Sequence, residues 1–310
     1  MIGKKWGVFS NDWKNMSKKI SDLLASRSRP LLSIEFFPPK DHKGFAILGS
    51  SIERMRVMRP DFVTVTYGAG GSTRDLSPVV SEVLGKMGFS PIMPHLTLMG
   101  SSRSELEQII DKMYDAGYRN IMAIRGDAPA DDPGFRQPPD ALKYAAELVA
   151  LIKKRHPDAC CGVAGYPETH PEAETPEADI LHLKEKINAG GSFVVTQLFY
   201  DNAVFFDFVE RCRRAGITVP IIPGLLPAIS LNQAKRMTER CKASFPADLA
   251  EQLEKAGGTG PVAEAIGIQW TVMQIDGLLN EGVPGVHLYI LNRAKTALAP
   301  ALEECLSRWR

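Results

Sequence analysis

Apolar, β-branched runs recur along this chain at intervals of about 30 residues, at 31–37, 62–67, 92–98, 120–125, 161–166, 193–199, 219–226 and 285–291. The stretches between them follow a helical period instead. Val79, Val80, Val83, Leu84 and Met87 form one stripe, stopped at Gly88. Leu106, Ile109, Ile110 and Met113 form another, behind a capping box expected at Ser104 and Glu107 and ended by Gly117. A helix is expected over 139–155, with Leu142, Ala145, Ala146, Val149 and Ile152 inward. Segments 179–189 and 203–215 each end at a glycine, and two helical stretches, 231–256 and 262–280, separate the seventh and eighth runs. Eight strands alternating with helices predict a single (β/α)₈ TIM barrel over residues 30–310, whose reactive groups gather where the strands end. Residues 1–29 precede it. There Trp13, Met16, Ile20, Leu23 and Leu24 recur at helical spacing, so an amphipathic N-terminal helix is expected, closing the barrel floor or meeting another subunit.

Composition narrows the picture. The chain has 310 residues, is 44% hydrophobic and carries a formal net charge of +1, enough apolar material for a large core without staples. No basic block or acidic tail suggests a nucleic-acid or membrane-surface partner. The N-terminus has no apolar signal region, and no stretch reaches membrane-spanning length. Five cysteines without C-x-x-C spacing point to a reduced, cytoplasmic setting.

Candidate chemistry lies just past the strand ends, at Glu35, Thr66, His95, Asp127, Tyr166, Gln197 and Arg293. Glu35 interrupts an apolar run beside Phe36 and Phe37. Lost hydration raises the pKa of such a carboxyl and suits it to donate a proton, although a structural ion pair would also explain it. Asp127 follows Arg125 and Gly126, and the glycine permits close backbone approach to a ligand; a capping turn aspartate is the alternative. His95 and His170 have no second ligand at metal spacing, so no metal is expected. The turn Gly68-Ala-Gly-Gly-Ser-Thr73 is neither a Walker loop nor a dinucleotide fingerprint. Gln197 is an amide in an apolar strand and needs a partner. Two loops on the same side stand out, 126–139, rich in Pro and Gly, and 167–175, with Glu168, His170, Glu172 and Glu174. The set suits a flat heteroaromatic ligand and proton supply, with any hard chemistry left to a cofactor.

Several segments together resemble the methylenetetrahydrofolate reductase family, in its bacterial form with the catalytic barrel alone. They are Ser33-Ile-Glu-Phe-Phe-Pro-Pro39, Pro60-Asp-Phe-Val-Thr-Val-Thr-Tyr-Gly68, Pro94-His-Leu-Thr97, Arg125-Gly-Asp-Ala-Pro129, Gly165-Tyr-Pro-Glu-Thr-His-Pro-Glu-Ala173, Thr196-Gln-Leu-Phe199, Ile222-Pro-Gly-Leu-Leu-Pro227 and Leu291-Asn-Arg-Ala294. The resemblance runs in order from the first strand to the eighth. It implies a flavoprotein of one-carbon metabolism and methionine biosynthesis that reduces 5,10-methylenetetrahydrofolate to 5-methyltetrahydrofolate, in a homo-oligomer. FAD would be held by Thr66, His95, Arg125, Gly126, Asp127, Tyr166, His170, Asp179 and Lys186, with Asp127 tuning the flavin. Glu35 would be the general acid, and Gln197 and Arg293 would hold the folate. NADH or NADPH would reduce the flavin at N5 and leave before folate enters, in ping-pong order.

One position departs from the pattern. Leu231 stands where bacterial members often carry a phenylalanine that stacks on folate and nicotinamide. Two other readings therefore stay open. One is a flavin-binding subunit of a folate-reducing complex that takes electrons from a partner protein. The other is a flavin-free barrel that binds a pterin or folate.

Overall fold

Each apolar run is a strand, and the alternation within it sorts side chains between two cores. The computed structural model describes residues 18–39, 42–67, 76–128, 132 and 134–309. Its strands are β1 (Leu31–Phe36), β2 (Phe62–Val65), β3 (Ile92–Thr97), β4 (Asn120–Ile124), β5 (Cys160–Gly165), β6 (Gly191–Leu198), β7 (Ile221–Leu225) and β8 (Gly285–Tyr289). Every strand pairs in parallel with the next, and β8 returns to β1, giving a closed barrel. The fold is a single (β/α)₈ TIM barrel.

Alternate residues of a strand point to opposite faces. In β1, Leu32, Ile34 and Phe36 join the cluster that faces the helices, while Leu31 joins the interior cluster. The same split holds for Val63 against Phe62, Ile121 against Met122 and Val194 against Phe193. The floor is plugged by α1 (Ile20–Ser26), whose fully buried Ile20 and Leu24 pack among Leu31, Phe62, Met93, Met122, Cys160, Phe193 and Ile222. The Asn120 side chain ties the helix down, accepting from the Ile20 amide at 2.8 Å and donating to Lys18 O at 2.9 Å. Of the two roles expected for the N-terminal helix, the described part closes the floor; Trp13 and Met16 lie outside the described residues.

The helices that return the chain are α2 (His42–Met55), α3 (Ser77–Lys86), α4 (Arg103–Asp115), α5 (Ala145–Arg155), α6 (Pro176–Asn188) and α7 (Asn202–Arg214). Beyond β7 come α8 (Leu231–Cys241), α9 (Ala247–Lys255) and α10 (Pro261–Asn280), and beyond β8 α11 (Ala294–Ala297) and α12 (Pro300–Arg308).

Three boundaries differ from expectation. The capping box of α4 is Ser102 with Glu105, two residues before the expected pair; Ser104 and Glu107 lie inside the helix. Helix α5 starts at Ala145 rather than 139, because Pro138 and Pro139 open a turn and the Glu147 carboxylate takes the amides of Lys143 and Tyr144 at 2.6 and 2.9 Å. The stretch 231–256 is two helices. Lys242 turns left-handed (φ 51°), and Pro246, without an amide hydrogen, starts the second. The linker between them is held on the loop after β5, with Ser244 N donating to Glu168 at 2.7 Å and Lys242 Nζ to Pro171 O at 2.6 Å.

Candidate active site at the barrel mouth

The interior face that is apolar at the floor turns polar toward the strand ends. The register sets Glu35 of β1 opposite Thr64 of β2 on one side and Tyr289 of β8 on the other. Glu35 is 5% exposed. Its Oε2 lies 3.5 Å from His95 Nε2 and 3.9 Å from His287 Nε2, and His287 Nδ1 is 2.8 Å from Ser33 Oγ. Burial brings the His95 pKa down to about 4, against an opposing pull from Glu35. His95 is therefore neutral at pH 7, and the contact is a carboxyl beside an uncharged imidazole rather than an ion pair. Tyr289 lies edge-on to His287, with ring centroids 4.8 Å apart, and donates its hydroxyl to Thr196 O at 2.7 Å. Burial, then the neighbouring Glu35, raises that phenol well above its ordinary range.

Above this cluster opens a cavity of about 260 Å³. Thr66 and His95 line it from β2 and β3, Arg125, Gly126 and Asp127 from the end of β4, and Tyr166, His170 and Lys186 from the β5–α6 unit. Eight of the nine expected flavin-contacting positions thus meet in one cleft. The ninth, Asp179, stands behind it, buried, with Oδ2 accepting from the His170 amide at 2.9 Å.

The cleft carries two kinds of unmet demand. Thr66 Oγ1, and Thr64 Oγ1 one layer below, are buried without a hydrogen-bond partner among the described residues. Lys186 Nζ donates to Ala164 O at 2.6 Å, and burial lowers its pKa to about 8 while Asp179 pulls the other way. Arg125 is gripped by Glu172, with Nη2 to Oε1 at 2.6 Å, and that pairing raises the Arg125 pKa and lowers that of Glu172. Asp127 is exposed on the rim, 3.8 Å from Arg240. Tyr166 and His170 meet edge to face at 4.5 Å, and burial lowers the His170 pKa. Gly126 is needed where it stands: its φ is +82°, and a Cβ there would lie 2.8 Å from Thr97 Cβ.

Gln197, Leu231 and Arg293 do not line this cleft. Gln197 sits at a bulge in β6, its Oε1 accepting from the Leu198 amide at 2.8 Å. Leu231 opens α8 and packs beside Gly258. Arg293 is exposed beyond β8, after Leu291 and Asn292, which are both left-handed (φ 49° and 58°). Asn292 clamps the ends of β1 and β8, taking the Phe37 amide at 3.0 Å and donating to Phe37 O at 2.7 Å.

The expected set omits Ser33, His287, Tyr289 and Asn292. A signal for three of them exists in the chain: Ser33 and Glu35, and His287 and Tyr289, are polar residues two apart in apolar strands, the spacing that puts both on one face. The turn Gly68–Thr73 and residues 129–131 and 133 of the long loop after β4 lie outside the described residues. Among the described residues no helix is long and apolar enough to cross a membrane, and no group of three or more His, Cys, Asp or Glu is placed to hold a metal. All five cysteines are free thiols.

A family profile described as methylenetetrahydrofolate reductase matches residues 19–302. The 5,10-methylenetetrahydrofolate reductase of Salmonella typhimurium is 37% identical, over 86% of this chain and 88% of its own length. A probable NADH-type methylenetetrahydrofolate reductase of rice, Oryza sativa, is 36% identical over 88% of this chain; the chain spans only 48% of that longer protein. Among solved structures, an uncharacterised Clostridium thermocellum protein that binds two copies of 5-methyl-5,6,7,8-tetrahydrofolic acid shares the fold, with a TM-score of 0.61 and 16% identity over 94% of this chain and 97% of its own. The profile spans nearly all of the barrel and the bacterial identity extends over most of both chains, so the chain belongs to the methylenetetrahydrofolate reductase family.

Proposed function

We propose that this protein is an FAD-dependent reductase that converts 5,10-methylenetetrahydrofolate to 5-methyltetrahydrofolate with electrons from NADH or NADPH. The observation that carries the reading is the buried Glu35 carboxyl 3.5 Å from a neutral His95, which itself lines the cleft whose wall holds Lys186 and Arg125. It joins a proton-handling group to an anion-binding wall, and none of these side chains is itself a redox carrier.

The residues fit FAD. Lys186 and Arg125 suit a pyrophosphate. Thr66 Oγ1 is a buried hydroxyl that still needs a partner. Gly126, left-handed and with no room for a Cβ against Thr97, allows the tight turn after β4 that sets Arg125 and Asp127 on the cleft. His170 is held by Asp179 through its amide and packs on Tyr166. FAD bound there would supply the hydride carrier between nicotinamide and folate, chemistry that none of the chain's own side chains provides.

The chain's own residues do the rest. Glu35 gives its proton to a nitrogen of the folate's methylene bridge, so that the bridge opens to an iminium able to accept hydride. His95, uncharged at pH 7, holds the carboxyl from one side. His287, anchored by Ser33, flanks it on the other at 3.9 Å. Gln197 and Arg293 bind the folate, and Asp127 sits on the rim where it tunes the flavin's electrostatics. The five free thiols support a reducing, cytoplasmic setting.

Leu231 favours a second reading, in which a partner protein rather than a nicotinamide delivers the electrons, since a leucine packs against a ring but cannot stack as an aromatic. The deciding experiment is anaerobic. The purified protein is expected to show a flavin band at roughly 450 nm that NADH or NADPH bleaches and methylenetetrahydrofolate restores. A band that neither nucleotide bleaches selects the second reading. A protein that neither carries FAD nor takes it up overturns both.

A further inference from the structure

The end of β6 is gripped from two directions by groups that no catalytic step uses. Its register against β7 slips between Val195 and Leu198, so that β6 advances three residues while β7 advances two, from Ile222 to Gly224. This is a bulge, and bulges re-aim side chains at the rims of barrels. Thr196 is at its centre. Thr196 Oγ1 accepts the Gly224 amide at 2.9 Å, and Thr196 O accepts the Tyr289 hydroxyl at 2.7 Å.

Tyr289 belongs to β8, two strands away, and must cross β7 to make that bond. It can do so because position 224 has no side chain. A Cβ on Gly224 would lie 2.6 Å from the Tyr289 ring and 2.2 Å from Thr196 O, distances that no packed side chain tolerates. The phenol therefore bridges from beside Glu35, its register partner in β1, over β7 to the residue before Gln197.

We propose that Tyr289 is a positioning residue for the folate-binding amide: by donating to Thr196 O across Gly224 it fixes the β6 bulge, and so sets Gln197 at a defined place relative to Glu35. The inference rests on the reading of Gln197 as a folate ligand. Removing the hydroxyl frees the Thr196 peptide, and the folate then loses a preset hydrogen bond rather than its acid.

Tyr289→Phe keeps the ring and deletes the bond. It is expected to weaken equilibrium binding of 5-methyltetrahydrofolate, measured by calorimetry, by about fivefold to tenfold, the worth of one net hydrogen bond. KM for methylenetetrahydrofolate should rise with it, while kcat, its pH profile and the rate of flavin bleaching by the nicotinamide change little. Gln197→Ala is then made in both backgrounds. A Gln197→Ala penalty that largely disappears when Tyr289 is already Phe supports the bridge, since residues acting through one another are non-additive. Full additivity overturns it, and so does a shifted pH profile in Tyr289→Phe, which would tie the phenol to Glu35 instead. If Gln197→Ala alone leaves folate binding intact, the assignment of Gln197 fails and the bridge with it, which separates that failure from a failure of the bridge alone.

Discussion

The two ends of the barrel are built from the same strands and are chemical opposites. At the floor, Phe62, Met93, Met122, Phe193 and Ile222 close around Ile20 and Leu24, and the polar side chain that enters, Asn120, has both amide groups engaged. Two residues beyond Phe62 and Met93 the interior holds Thr64 and His95; Ser33, Glu35 and His287 join them from β1 and β8, and two buried threonine hydroxyls lack partners among the described residues. An unsatisfied buried hydroxyl costs on the order of 1–3 kcal/mol. The floor supplies cohesion that lets the mouth carry such groups, and polar groups placed for a ligand are what functional sites tend to keep.

The largest expected effect tests the mouth. Glu35→Gln keeps the shape and leaves His95 and His287 in place but cannot protonate the folate. Folate reduction should fall by roughly 10²–10⁴-fold, the span of general acid catalysis, while FAD content and bleaching by the nicotinamide persist in stopped-flow traces. A variant that still turns over folate normally would remove Glu35 from the mechanism.

Phe193→Ala tests the floor. This side chain is fully buried and lies edge-on to Phe62, with centroids 6.3 Å apart. Its loss should cost about 3–5 kcal/mol in denaturant unfolding yet leave KM for the folate and the pH profile of the surviving enzyme unchanged. If the KM moves with the stability, the two ends are coupled and the division drawn here is too sharp.

Lys186→Met removes the cleft's amine. FAD affinity should drop by about 10–100-fold, the worth of one charge-assisted hydrogen bond, measured by flavin fluorescence on the apoprotein. The pH dependence gives the sign. Burial lowers the Lys186 pKa to about 8, so above that pH the folded apoprotein holds fewer protons than the unfolded chain. The stability lost by burying a charge is thus regained as pH rises from about 8 toward the ordinary lysine range. Affinity for an anion that needs the charge moves the opposite way, falling above about pH 8 in the native protein but not in Lys186→Met.

The same contrast marks what the sequence makes legible. The floor is written in period-two alternation, so Phe62, Met122 and Phe193 fall inward by counting. Glu35 and His95 are legible as polar interruptions of apolar strands, and the resemblance supplies Lys186 and Asp179, which no local pattern marks. His287 and Tyr289 carry the same i, i+2 signal as Ser33 and Glu35, but its meaning depends on β8 closing onto β1, a long-range register. The Glu172 grip on Arg125 and the Tyr289 bridge over Gly224 join residues 47 and 93 positions apart. Such pairs are set by packing, not by neighbours in the chain. Helix α4 starts earlier than expected for a local reason: Ser102-x-x-Glu105 and Ser104-x-x-Glu107 both fit the capping pattern and the first closes the box. At α5 the Glu147 carboxylate takes the Tyr144 amide, with no serine or threonine before it to mark the start.

The smallest effect concerns the one departure from the bacterial pattern. Leu231 begins α8, capped by Ser230, and its Cβ lies 3.6 Å from where a Gly258 side chain would start. Gly258 has φ +72°, so a glycine there lets the loop after α9 fold close over the helix start, and Leu231 is only half-buried, which leaves a larger side chain its solvent side. Leu231→Phe should therefore be accommodated, and an aromatic pair is worth about 0.5–1.5 kcal/mol beyond burial. If a nicotinamide stacks near this position, its KM falls between about twofold and tenfold, by the same conversion, in steady-state assays. If the wild type is reduced poorly by NADH and NADPH and Leu231→Phe does not change that, the aromatic was not what was missing. The electron source is then to be sought in a second protein, and the polar mouth serves the folate and flavin alone.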